Sequence, residues 1–144
     1  MGPVCCDTSF LFSLYARDAH TAKAEATARK LNQALILSAF NEFEFMNAIR
    51  LSAFRRLLSP TDAAAILADF EADIADGGIV IAKCNLAEVM TEAKRLSATY
   101  SLIGGHRAFD ILHVATALYL EAAEFLSFDE NQNTLAKAAG LKVR

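Results

Sequence analysis

Four short apolar runs, at 4–6, 34–37, 79–82 and 124–127, are spaced along the chain with helical stretches between them. Strands of that length alternating with helices define a layered α/β fold with a mostly parallel sheet. The first run ends in Asp7, and Thr8 and Ser9 open a helix carrying Phe10, Leu11, Leu14 and Tyr15. A segment at 21–31, rich in Ala, Lys, Arg and Glu, has high helix propensity. The stretch 41–58 reads as a long helix. Its Phe43, Phe45, Met46, Ile49, Leu51, Phe54 and Leu57, with Phe40 just before, cover most of the circumference and predict burial on more than one side. Ser59-Pro60-Thr61-Asp62 then makes a turn into a helix at 63–75, so these two helices should form a hairpin. Gly77-Gly78 stops that helix, and Asn85 caps another that runs to about residue 100. Residues 101–106, with Gly104-Gly105, read as a flexible loop before a strongly apolar helix at 108–120. Asp129 starts the last helix, Gly140 ends it, and 141–143 is a candidate short edge strand.

At 144 residues, 54% hydrophobic and 22% charged, the chain reads as one domain over residues 1–144 with enough apolar mass for its own core. Three cysteines, two of them adjacent at Cys5 and Cys6 and none in a Cys-x-x-Cys pair, predict no disulfide framework and fit a reducing, cytoplasmic setting. The most apolar stretch, 111–120, contains His113 and Thr116 and is far too short for a membrane span, and the N-terminus reads as neither a signal peptide nor a myristoylation site. A formal net charge of −3 excludes strong nonspecific binding of nucleic acid by charge alone. Acids gathered on a cation reverse the local sign, however, so their placement matters more than their sum. The absence of Trp argues against a stacking platform for single strands, and Gly104-Gly105 lacks the spacing of a nucleotide phosphate loop.

Ligands of open α/β sheets gather beyond the carboxyl ends of the strands. The residues there are Asp7, Ser38 and Phe128-Asp129, so Asp7 and Asp129 should share one edge. Each also suits a helix N-cap, Asp129 with Gln132 as a capping box. Glu44 sits between Phe43 and Phe45, where an unpaired carboxylate is costly, and Arg50 or Arg55 would serve as a buried partner. Glu42 competes for the same role. Asp110 lies in the first turn of the apolar helix, where it complements the helix dipole or pairs with Arg107. Four such carboxylates would repel one another unless a divalent cation joined them, and Mg²⁺ or Mn²⁺ prefers hard oxygen ligands. His113, one turn after Asp110, reads as a packed or hydrogen-bonded core histidine rather than a ligand, and His20 and His106 have no partner motif.

Cys6-Asp7-Thr8-Ser9, Glu44-Phe45-Met46-Asn47-Ala48, the run from Arg107-Ala108-Phe109-Asp110 through Ala117, and Phe128-Asp129 with Gln132 follow one another in an order that resembles the PIN-domain ribonucleases, specifically the VapC-like toxins of toxin–antitoxin pairs. The likeness spans essentially the whole chain. It implies a three-layer α/β/α fold and a metal-binding acidic cluster of Asp7, Glu44, Asp110 and Asp129 that cuts RNA with Mg²⁺ or Mn²⁺, with Thr8 or Ser9 in support. Ser127 stands where relatives often carry Thr. Homodimers and a cognate VapB-like antitoxin, whose basic side chains enter the acidic site, are implied by the same resemblance. Arg107 would steer the RNA backbone. A catalytically inactive PIN-fold module binding RNA or protein is the alternative, whereas a phosphoacceptor domain would want an adjacent acidic pair after the first strand, and none is present.

Overall fold

The computed structural model describes residues 2–144. Four parallel strands, β1 (Val4–Cys6), β2 (Leu35–Leu37), β3 (Ile79–Ile81) and β4 (Glu124–Leu126), form one sheet in the order β3-β2-β1-β4. Val4 pairs with Leu35 on one side and Glu124 on the other, so β1 lies at the centre. Helices α1 (Thr8–Tyr15), α2 (Thr21–Lys30), α3 (Ala39–Phe54) and α4 (Pro60–Ala75) cover one face. Helices α5 (Leu86–Leu96), α7 (Ala108–Tyr119) and α8 (Glu130–Ala138) cover the other, with a short α6 (Leu102–Gly104) between α5 and α7. Side chains of a strand alternate between faces. Val4 and Cys6 accordingly join the first core with Phe10, Phe45 and Phe70, while Cys5 joins the second with Val89, Leu112 and Phe125. The result is the three-layer α/β/α arrangement expected from the sequence.

Several local readings are revised. The long helix starts at Ala39, capped by Ser38, and stops at Phe54 because Arg56 takes a left-handed conformation (φ 60°). It is also buried along one stripe only: Asn41, Phe45, Ile49 and Ser52 face inward, whereas Phe43 and Phe54 are 62% and 82% exposed. Aromatic residues all round a helix therefore did not mean burial all round. The expected loop at 101–106 is largely helical, because α5 runs into a π-helical turn (Ser97–Ser101) and then α6 before Gly105 (φ 65°) breaks the path. A Cβ at Gly104 would lie 2.3 Å from the His106 ring, so any larger residue there must displace that side chain. Residues 141–143 contribute a single bridge, Val143 beside Phe125, rather than a strand. α3 and α4 do pack together as the expected hairpin. Among the described residues no helix is long and apolar enough to cross a membrane.

Candidate functional site

The chain leaves β1 to build β2 and β3 on one side, then returns to place β4 on the other, so the sheet's switch point lies between β1 and β4. A crevice opens at such a point beyond the strand ends. Asp7 follows β1 and Asp129 follows β4 after two residues, and both head helices that begin at this crevice. An open cleft of about 450 Å³ is lined there by Asp7, Thr8, Ser9, Glu44, Asp110 and Asp129, with Asn47, Ala48, Leu51 and Arg55 from α3 and Arg107 completing the wall. All four acids singled out in the sequence thus reach one cleft. Glu42 stays in the first turn of α3, outside the cleft lining.

Each carboxylate is tied to the scaffold. Asp7, 3% exposed, accepts from the Phe10 amide (3.0 Å) and Ser9 Oγ (2.7 Å) on Oδ1 and from Ser127 Oγ (2.6 Å) on Oδ2. The N-cap reading of Asp7 is therefore correct and compatible with a place in the cleft. Asp129 caps α8 through Oδ1, which accepts from the Gln132 amide at 2.9 Å, while Gln132 Nε2 donates to the Asp110 carbonyl at 2.9 Å. Asp110 Oδ2 pairs with Arg107 Nε at 3.2 Å.

Glu44 departs from expectation. Its partner is neither Arg50 nor Arg55, both of which are exposed, but His113, whose Nε2 lies 2.7 Å from Oε1, together with Thr8 Oγ1 donating to the same oxygen. Geometry explains this: Arg55 is eleven residues along α3, about 16 Å at the usual rise, whereas α7 brings His113 directly alongside. The His113 side chain is fully buried, and its Nδ1 has no hydrogen-bond partner. Nε2 therefore carries a proton, which it donates to Glu44. Sequence reasoning anticipated a hydrogen-bonded core histidine but not its partner. The only signal available was its spacing of one turn from Asp110.

Burial alone would raise the Glu44 carboxyl, but the bonds from His113 and Thr8, with the electrostatic support of His113 and Arg107, outweigh it and hold the group below its ordinary value. Asp7 shifts the other way. Burial raises it, and the bonds from Ser127, Ser9 and Phe10, helped by His113, offset this only in part. A raised carboxyl contributes stability that is complete below the unfolded-state pKa and is lost as pH climbs through the folded one. Asp7→Asn removes that loss. At neutral pH without metal the variant should melt at or above the wild-type temperature, with the difference shrinking toward pH 4; thermal denaturation across pH shows whether it does, and a variant that is much less stable at every pH would refute this.

Hard oxygens in this number suit Mg²⁺ or Mn²⁺ in kind. The free atoms suit it too. Among the described residues, Glu44 Oε2, Asp110 Oδ1 and Asp129 Oδ2 carry no hydrogen bond to the protein, and Asp7 Oδ2 accepts only one, which leaves it a lone pair. The cluster is looser than the sequence led one to expect, because among those residues no three ligand-type side chains are close enough to hold one ion together. Mg²⁺ is commonly held by one or two carboxylates with waters and substrate phosphates, so the donor set fits such an ion when substrate completes it.

The chain belongs to the PIN domain family, whose model matches residues 4–138. No curated protein matches it in sequence. Among solved structures it is similar to VapC20 of Mycobacterium tuberculosis, a Sarcin-Ricin loop cleaving toxin, at TM-score 0.71 and 18% identity over 96% of this chain and 95% of that one. It is similar also to FitAcB from Neisseria gonorrhoeae, at TM-score 0.69 and 18% identity over 97% and 95% of the two chains. VapBC2 from Rickettsia felis, bound to a DNA fragment from its promoter, aligns at TM-score 0.65 and 14% identity over 98% and 96%. At such identities the likeness is one of fold.

Proposed function

We infer that the protein is a metal-dependent endoribonuclease and the toxin of a VapBC-type toxin–antitoxin pair. The observation that carries this reading is the meeting of Asp7, Glu44, Asp110 and Asp129, from four separate segments, in one cleft at the sheet's switch point. Membership of the PIN domain family and a fold shared with VapC20 support it. In this reading the cleft's carboxylates would take up Mg²⁺ or Mn²⁺, one or two of them as direct ligands and the others through its waters. A divalent ion there supplies charge that offsets the acids, polarises the phosphodiester and favours attack by water. The chain's own part is orientation: Ser9 and Ser127 fix Asp7, His113 and Thr8 fix Glu44 through Oε1 and leave Oε2 free, and Gln132 ties the α7 and α8 ends that carry Asp110 and Asp129.

An antitoxin with basic side chains suits the same acidic cleft. A second copy of the chain suits the apolar surface left open on α3 and the turn after it, where Phe43, Phe54 and Leu57 are exposed. Cys5, Cys6 and Cys84 are free thiols, in keeping with work in a reducing cytoplasm.

One observation favours a second reading, a PIN-fold module that binds RNA or protein without cutting: the acids do not converge as three ligands to one point. Incubation of purified protein with total cellular RNA separates the two. Cleavage should occur with Mg²⁺ or Mn²⁺, stop with EDTA and yield discrete ends on mapping. No cleavage under any ion would leave the non-cutting module.

A further inference from the structure

The cleft holds two arginines, and they are differently committed. Arg107 is paired with Asp110, the largest influence on its guanidinium, and so serves first to offset an acid of the cluster. Arg55 has no carboxylate within salt-bridge distance among the described residues, yet it lines the same cleft. The sequence offered it as the buried counter-ion of Glu44. The structure leaves that post to His113 and releases the Arg55 charge.

Glu44, Asn47, Ala48, Leu51 and Arg55 fall at steps of three and four along α3 and make one continuous wall of the cleft. From Glu44 to Arg55 that wall is about 16 Å long, roughly the span of five stacked nucleotides at 3.4 Å each. Near Glu44 the wall is acidic, in the middle it is the amide of Asn47 and the apolar Leu51, and at its far end it is cationic. A polyanion entering a cleft with four carboxylates needs a fixed positive charge away from them. Arg55 is placed to provide it.

We propose that Arg55 is a phosphate anchor for single-stranded RNA, gripping the backbone a few nucleotides from the bond that meets the acidic cluster, with the strand laid along the α3 wall. This rests on the ribonuclease reading above. Arg55 takes no part in the acids' chemistry; it sets where along the strand they act, and its grip is independent of the metal. A guanidinium fork meets phosphate oxygens in pairs and carries no base information, so the contact is blind to sequence.

The test is binding of a fluorescein-labelled, mixed-sequence RNA of about twelve nucleotides, followed by anisotropy in EDTA as KCl is raised. Each phosphate contact on a single strand adds about 0.7 to the steepness of log affinity against log salt. Arg55→Ala should flatten the line by that amount, equally for oligo(U) and oligo(A), and Arg55→Lys should restore most of it. Arg50→Ala loses the same charge from the same helix but lies outside the cleft lining, and it should leave the slope unchanged. Arg55 also ends α3, where a cation favours the helix dipole; that role would alter melting temperature and not the salt slope. An unchanged slope in Arg55→Ala, or equal flattening in Arg50→Ala, overturns the proposal. So does a wild type that cuts cellular RNA with Mg²⁺ yet fails to bind the labelled RNA in EDTA. A wild type that neither binds nor cuts removes the ribonuclease reading itself.

Discussion

Asp110→Asn protein should keep its fold and lose RNA cleavage by a factor of about 10²–10³, the usual cost of removing one preorganised group that stabilises a transition state's charge. The substitution keeps the side chain's size and removes one negative charge from the cleft. The fold has little reason to notice. The pair that Asp110 makes with Arg107 involves an arginine side chain 81% exposed, and exposed pairs contribute about 0–1 kcal/mol. The bond that joins α7 to α8 uses the Asp110 backbone carbonyl, which the variant retains. Cleavage rates on cellular RNA, with circular dichroism melting as the fold control, decide it. A well-folded variant that cuts at the wild-type rate would remove Asp110 from the site.

Phe45→Ala should be the most damaging single change to the fold, at about 3–5 kcal/mol out of a total stability of roughly 5–15 kcal/mol for a domain. Phe45 is fully buried on the inward stripe of α3 and packs on Phe70 (ring centroids 4.6 Å apart) and Tyr15 (5.6 Å). Deleting its ring opens a cavity where α1, α3 and α4 meet. A loss of that size lowers the melting temperature of a chain this long by roughly 6–20 °C. Glu44 precedes it on the cleft side of the same helix, so the residue that anchors α3 also fixes where that carboxylate stands. Urea denaturation measures the loss. A cost under about 1 kcal/mol would mean that the site collapses around the missing ring and that α3 is held elsewhere.

Much of this was legible in the residues because the signals were local. Short apolar runs mark parallel strands, and the polar residues that follow the first and last of them mark the strands' carboxyl ends, which is why Asp7 and Asp129 could be set at one edge from the sequence. Asp110 and Glu44 were legible as acids in apolar helices. What was hidden depended on packing across the molecule. The preference of Glu44 for His113 over an arginine needs α3 and α7 to lie side by side, sixty-nine positions apart in the chain. Burial of α3 on one stripe only depends on which of its faces the sheet and α4 reach, and Phe43 and Phe54 look no different from Phe45 until that is known. The helix read from Asn85 to about residue 100 ends in a π-helical turn, and α6 (Leu102–Gly104) stands where a loop was expected, because Gly104-Gly105 reads as flexible until the packing around it is known; Tyr100 finds its hydroxyl partner at the Ala138 carbonyl, on α8.

The central claim is that the acidic cleft of Asp7, Glu44, Asp110 and Asp129 takes up a divalent ion and that Asp110 helps to hold it, and the most direct measurement is calorimetric titration of Mn²⁺ into metal-free wild type and Asp110→Asn protein. The account predicts binding by the wild type and an affinity reduced in the variant by more than the roughly 10–100-fold that loss of an outer-shell partner costs. Equal affinity in the two proteins, or no binding by a wild type that nonetheless cuts RNA in EDTA, would contradict it.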